Sequence, residues 1–366
     1  MMRADRISVR ELQELLDTEQ PVTVVDIRSS ADREWSIPGS LHLDAYDAVR
    51  SGSLGPLAHL NYSPGPVVTV CAMGATAAMA TDLLNARGVQ AMTLEGGMRA
   101  WSLAWNTAQT TISGSELVQI RRTGKGCLSY IVESKSEAVV IDASLDPYVY
   151  VRLLRERGWR LVAVVDTHIH ADHLSRSKLL AQQERVDVWL PAQDRAQYHF
   201  RPIADGDRIV FGSTALVAVR TPGHTEESTT YLLDSTAAFT GDTLFLNGVG
   251  RPDLDGGSRE DLVVRAQLLH KSIHGLLQLP EAYQVLPGHT SEPTPFDGRV
   301  LSTTVGTIRD SVALARLDST SFVEAVLERI PPNPPNHARI VELNERGEVV
   351  SDPGELEAGA NRCAVA

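Results

Sequence analysis

Cysteine is scarce: the 366-residue chain has three, Cys71, Cys127 and Cys363. An odd number at such wide spacing excludes a disulfide framework and the small stapled secreted scaffolds that depend on one. The reading is of a reduced, cytoplasmic protein. Long apolar runs are also missing. None approaches the roughly 20 residues of a membrane-spanning helix, and the N-terminal stretch carries no apolar leader region, so no membrane association is expected. Positive charge is in deficit, with 34 Lys and Arg against 46 Asp and Glu and a net charge of −12. That balance argues against a nucleic-acid partner and leaves small anionic ligands open. No internal repeat or low-complexity segment is found, and self-association into a homo-oligomer is left open.

What the chain does have is length for two domains and one dense cluster of ligating residues. Thr167-His168-Ile169-His170-Ala171-Asp172-His173 places four candidate metal ligands, His168, His170, Asp172 and His173, within six residues. An apolar run, Leu161 to Val165, precedes it as a buried strand, and a helical pattern starts near Ser175. Imidazoles and a carboxylate suit zinc or iron. Three further candidates, His224, Asp242 and His289, each follow a short apolar strand beside Gly or Pro residues that allow a sharp turn. Strand ends on one edge of a sheet converge, so separate loops can build one metal site.

Residues 1–107 read as a small α/β unit. Ser8 with Glu11 forms a capping box ahead of a helix. Val22 to Val25, Val67 to Val70 and Ala91 to Leu94 read as buried strands alternating with helices, which implies a parallel sheet covered on both faces. Cys71 stands between a strand end and a helix start, where backbone N–H groups and the helix dipole favour thiolate. A small buried residue closing the strand is the alternative. Residues 108–116, with Ser113-Gly114-Ser115, read as a linker. Residues 117–350 form the second domain, in which Asp146-Pro147 starts a helix that Gly158 stops. Residues 351–366, rich in Gly, Ala and acids, read as a disordered tail; Cys363 lies there without a role, and Cys127 reads as a packed core thiol.

Asp26-Ile27-Arg28, Ile37-Pro38-Gly39-Ser40 with His42, the Cys71 loop, and Glu95-Gly96-Gly97 through Trp101 resemble a single rhodanese domain. The resemblance implies that Cys71 carries sulfur between thiolate and persulfide states. Ala72 and Thr76 stand where many thiosulfate-using members have arginines, which points from thiosulfate toward thiol-borne persulfides. A non-catalytic docking or sulfur-sensing module is the alternative.

The ordered set His-x-His-x-Asp-His, Pro-Gly-His, Gly-Asp, Pro-Gly-His resembles the metallo-β-lactamase fold, an αββα sandwich with metals at one edge of its two sheets. The fold class is therefore α/β and α+β in two domains. Thioester hydrolases of this fold bind two zinc ions, which would use His168, His170 and His224, then Asp172, His173 and His289, with Asp242 bridging. Gly241-Asp242-Thr243-Leu244-Phe245, Gly248 to Asp253, Cys127-Leu128-Ser129-Tyr130, and Pro331 to Asn336 with Ile340 and Asn344 instead resemble persulfide dioxygenases fused to rhodanese domains. Val249 stands where some glutathione-persulfide enzymes have cysteine. This second resemblance implies one Fe(II) on His168, His224 and Asp242, a 2-His-1-carboxylate set with open positions. His170, Asp172, His173 and His289 become supporting residues. Arg251, through its planar fork, and Tyr130 are candidate substrate contacts; a structural salt bridge of Arg251 with Asp253 or another acid, and a half-buried strand position for Tyr130, are the alternatives. A thiol persulfide, of glutathione or another small thiol, and O2 would be the reactants, and zinc is the alternative metal.

Overall fold

The computed structural model describes residues 5–366 apart from 33–34, 61–63, 335 and 360. One residue of the Pro331 to Asn336 run, Pro335, is thus outside the described residues. In the first domain the Ser8 capping box forms in both directions and starts the helix Val9–Asp17. Five parallel strands follow the spatial order Arg6–Ile7, Ala91–Leu94, Val67–Val70, Thr23–Asp26, Leu41–His42. Successive side chains of a strand point to opposite faces. Val67 accordingly packs with Ala77, Ala80 and Leu84, while Val68 packs with Leu12 and Trp101 on the other side. The central strand Val67–Val70 is buried throughout and hands the chain directly to Cys71.

The second domain is two sheets packed face to face. A seven-stranded sheet runs Arg201–Ile203, Asp187–Pro191, Arg160–Val165, Glu137–Ile141, Leu128–Ser134, Ser115–Arg121, Asn106–Ile112. A six-stranded sheet runs Arg208–Phe211, Thr214–Arg220, Thr229–Leu233, Ala237–Gly241, Gln284–Pro287, Thr303–Thr304. Val139 and Val165 from one sheet meet Leu216, Tyr231 and Phe239 from the other in a shared core. The alternate residues Val140 and Val164 face outward to the helices Pro147–Arg157 and Ser177–Glu184. On the far side Ala238 and Val285 pack against the helices Arg259–Leu276 and Ser319–Glu328. Period-2 burial on two faces of each sheet is what forces four layers, helix, sheet, sheet, helix. Among the described residues no helix is long and apolar enough to cross a membrane.

Two expectations are corrected. Residues 108–116 are no linker: Asn106–Ile112 and Ser115–Arg121 pair antiparallel as a hairpin at the edge of the seven-stranded sheet. Ser113 and Gly114 both adopt positive φ, 51° and 81°, the conformation of a tight two-residue hairpin turn. Thr107 to Thr111 supplies the strand propensity. The second domain therefore begins near Asn106. Residues 351–366 are no disordered tail either. Ala364–Val365 pairs with Val249–Gly250, Cys363 is buried, and Glu357 is enclosed between Arg122 and Arg176. Polar anchors and apolar contacts together hold this segment down: Val365 and Cys363 are buried in apolar clusters, and Leu356 packs on a third.

Candidate metal centre and sulfur site

His168 is set by the residue before it. The Thr167 backbone N–H and hydroxyl donate to the two carboxylate oxygens of Asp142 at 2.7 and 3.0 Å. With its only hydrogen spent, the Thr167 hydroxyl accepts from His168 Nδ1 at 2.9 Å. His224 Nδ1 lies 2.8 Å from the backbone oxygen of Arg251, which can only accept. Both hydrogen bonds place a proton on Nδ1, so each ring turns Nε2 to the site, the orientation in which a neutral imidazole binds a metal. Burial, then the neighbouring His170, keeps His168 well below the usual imidazole range and therefore neutral.

Asp242 leaves the strand Ala237–Gly241 at its C-terminal end. Its Oδ1 accepts from His289 Nδ1 at 2.5 Å. Its Oδ2 lies 3.9 Å from His168 Nε2 and 3.7 Å from His224 Nε2. Burial would push the Asp242 carboxyl up, but His289 first, then His168 and His224, hold it down and ionised. His168 Nε2, His224 Nε2 and Asp242 Oδ2 are buried without a hydrogen-bond partner, and the three residues form one group able to hold an ion. Three orphaned acceptors converging in a dry site cost several kcal/mol unless a cation satisfies their lone pairs. The residues fit a metal.

The remaining candidates separate from this group. His170 gathers with Asp142 and Asp166, its Nε2 lying 3.3 Å from Asp142 Oδ1. Asp172 is occupied by protein: His173 Nδ1 at 3.0 Å, His289 Nε2 at 2.7 Å, the Cys127 thiol at 3.3 Å and Asn361 Nδ2 at 3.0 Å. Burial opposes charge on His173, yet Asp172 and Cys127 raise it to about 9. Cys127 is raised by burial and Asp172 but lowered by His173, Arg122 and His289, to about 6. Cys127, Asp172, His173 and His289 are a second group of ligating type.

Cys127 joins the second ligating group and Asn361 hydrogen-bonds Asp172, contacts that the sequence reading did not place. An isolated bridge between Cys127 and His289 brings the cysteine in from the other sheet, a pairing no local pattern reveals. Asn344, noted only through resemblance, donates to the backbone oxygens of His170 and His173 at 2.8 Å each, fixing the loop from behind.

Two candidate substrate contacts are overturned. Arg251 is fully buried, and its five N–H donors go to both Asp253 carboxylate oxygens, the Asn333 side chain and the backbone oxygens of Pro332 and Arg362. No donor remains for a substrate. Tyr130 lies in the intersheet core beside Phe239, its hydroxyl donating to Pro287 O at 2.6 Å. Its side chain points inward because the strand's alternation puts it on the core face.

Cys71 is brought to none of these groups. Its Sγ accepts from the backbone N–H of Gly74 at 3.2 Å and of Ala77 at 3.4 Å, the helix-start cradle expected from its position. Gly97 closes against it so tightly that an added Cβ would lie 2.2 Å from Cys71 O. Arg28 is held by Asp26, at 2.7 Å.

A family model described as the metallo-beta-lactamase superfamily matches residues 122–289, and one described as the rhodanese-like domain matches residues 8–104. The probable polyketide biosynthesis zinc-dependent hydrolase BaeB of Bacillus velezensis is 32% identical over 173 residues, 45% of this chain and 74% of that protein. The chain belongs to the metallo-beta-lactamase superfamily. A rhodanese-like domain precedes its superfamily domain. Among superfamily members, the mitochondrial persulfide dioxygenase ETHE1 of Bos taurus is 38% identical over 161 residues, 42% of this chain and 59% of that protein. The match thus spans about three-fifths of that relative's length. The solved structure of ETHE1 from Myxococcus xanthus shares the fold, with TM-score 0.53 at 24% identity over 66% of this chain and 98% of that one.

Proposed function

We propose that the superfamily domain is a persulfide dioxygenase that converts a small thiol persulfide such as glutathione persulfide, O2 and water into the thiol and sulfite. The observation that carries this reading is the split between the two ligating groups. His168, His224 and Asp242 present three orphaned atoms to one point, whereas Asp172 already accepts hydrogen bonds from His173, Cys127 and Asn361 and faces His289 Nε2 at 2.7 Å. One Fe(II) per chain on the former set would supply redox chemistry and leave coordination positions open for sulfur and dioxygen. Thr167, Arg251 O and His289 orient the ligands; burial keeps His168 neutral, and His289 above all keeps Asp242 ionised against burial. The 38% identity to a persulfide dioxygenase supports the same reading.

Cys71, cradled by two backbone N–H groups, would carry sulfane sulfur to or from that reaction, in a reducing compartment such as the cytoplasm. Sulfite formation from glutathione persulfide tests the proposal: wild-type protein makes it, and His168→Ala and Asp242→Ala variants do not. Equal sulfite from those variants would reject it. A dinuclear zinc thioester hydrolase is the second reading. It is favoured by the orphaned His173 Nε2 in the second group and by the zinc-dependent hydrolase among the relatives. It requires two metals per chain.

A further inference from the structure

A cavity of about 600 Å3 opens between the two domains beside the Cys71 loop. The rhodanese-like domain lines it with Ala72 and Met73, the residues directly after Cys71, and with Trp35 and Met98. The C-terminal segment lines it with Glu355 and Gly359. That volume is in the range of sites for drug-sized organic ligands and far beyond what a five-atom anion such as thiosulfate fills. Its lining is apolar except for two arginines and Glu355.

The two arginines differ. Arg28 is buried and spent on Asp26 and on the backbone oxygen of Trp35. Arg99 is about a third exposed (32%) and pairs with Asp352 and, at 3.3 Å, with Glu355. Those carboxylates are 63% and 72% exposed. Exposed ion pairs are weakly held, so another carboxylate can take the place of Asp352 or Glu355 on the guanidinium fork.

We infer that this interdomain cavity binds a carboxylate-bearing organic persulfide, with Arg99 gripping a carboxylate of the donor while Met73, Met98 and Trp35 cover its apolar part. The inference rests on the reading of Cys71 as a sulfur carrier. The step it serves is balanced without an oxidant. The Cys71 thiolate attacks the outer sulfur of R–S–SH, and a new sulfur–sulfur bond forms to Cys71. The donor's own sulfur–sulfur bond breaks, and its electron pair leaves on R–S⁻, which takes a proton. The N–H groups of Gly74 and Ala77 donate to Sγ, where they hold the attacking sulfur in place for the step. The reverse step returns sulfur to a thiol held in the same cavity.

The test is the rate of Cys71 persulfide formation, read by peptide mass mapping on the full chain, against donor concentration. The donors are glutathione persulfide, the neutral persulfide of 2-mercaptoethanol, and thiosulfate. Glutathione persulfide should half-saturate at least about tenfold lower than the neutral donor, the scale of one charge-assisted hydrogen bond. Arg99→Ala should remove that advantage and leave the neutral donor's rate unchanged, which also shows that the variant is folded. Glu355→Gln should tighten glutathione persulfide. An Arg99→Ala variant that shifts both donors equally, or neither, overturns the inference while leaving Cys71 a carrier. Cys71 that loads from no donor overturns the carrier reading itself, and this inference with it.

Discussion

His289 Nδ1 donates to Asp242 Oδ1 at 2.5 Å, so one oxygen of Asp242 is committed to protein and only Oδ2 faces His168 and His224. Removing such a partner of a metal ligand typically weakens metal binding 10- to 100-fold. His289→Ala should therefore bind Fe(II) about 10- to 100-fold more weakly at the same stoichiometry of about one per chain. Anaerobic equilibrium dialysis measures both quantities. A variant that loses one of two bound ions instead would make His289 a ligand in its own right.

Glu357 gives an acid-dependent stability. Its side chain is fully buried, 2.7 Å from Arg122 and 2.6 Å from Arg176. Burial pushes its carboxyl up, but Arg122 and then Arg176 pull it further down, from 4.5 to about 2. A depressed carboxyl pKa means stability that is fully present above pH 4.5 and lost as pH falls toward about 2. Glu357→Gln leaves two buried guanidinium groups without their counter-charge and should cost about 3–5 kcal/mol near neutrality. Denaturant unfolding between pH 6 and pH 3 should show the gap between variant and wild type closing as pH falls. Parallel curves would mean that the pair does not hold the C-terminal segment.

Cys71→Ala separates the two chemistries. Direct oxidation of a small persulfide should persist, because Cys71 belongs to none of the groups able to hold an ion, and persulfide loading of the rhodanese-like domain should vanish. Oxygen consumption and peptide mapping on one preparation check both. A dead dioxygenase in this variant would refute the division of labour.

Much of the candidate site was legible because its candidate ligands follow short apolar strands. His224, Asp242 and His289 stand at such ends, and the Ala237–Gly241 and Gln284–Pro287 strands bring two of them side by side. Helix caps were equally readable: Ser8 and Asp146 both cap as their neighbours suggest. Pairings across long separations left no local trace. Glu357 meets Arg122 from the other end of the domain, Asn361 reaches Asp172, and Cys127 arrives beside His289 through contact between sheets. Ser113-Gly114 was ambiguous for another reason, since the residues that loosen a linker are also those a tight turn requires. Arg251 was a candidate because its planar fork suits a carboxylate, and the fork is taken instead by Asp253, two residues on, and by Asn333 and the Arg362 backbone, far along the chain.

Oxygen uptake by iron-loaded, anaerobically purified protein given glutathione persulfide, with metal counted on the same sample, tests the central claim most directly. The account predicts rapid uptake matched by sulfite at about one iron per chain, as a single three-residue site requires. No uptake, with two zinc ions per chain and cleavage of a glutathione thioester, would contradict it.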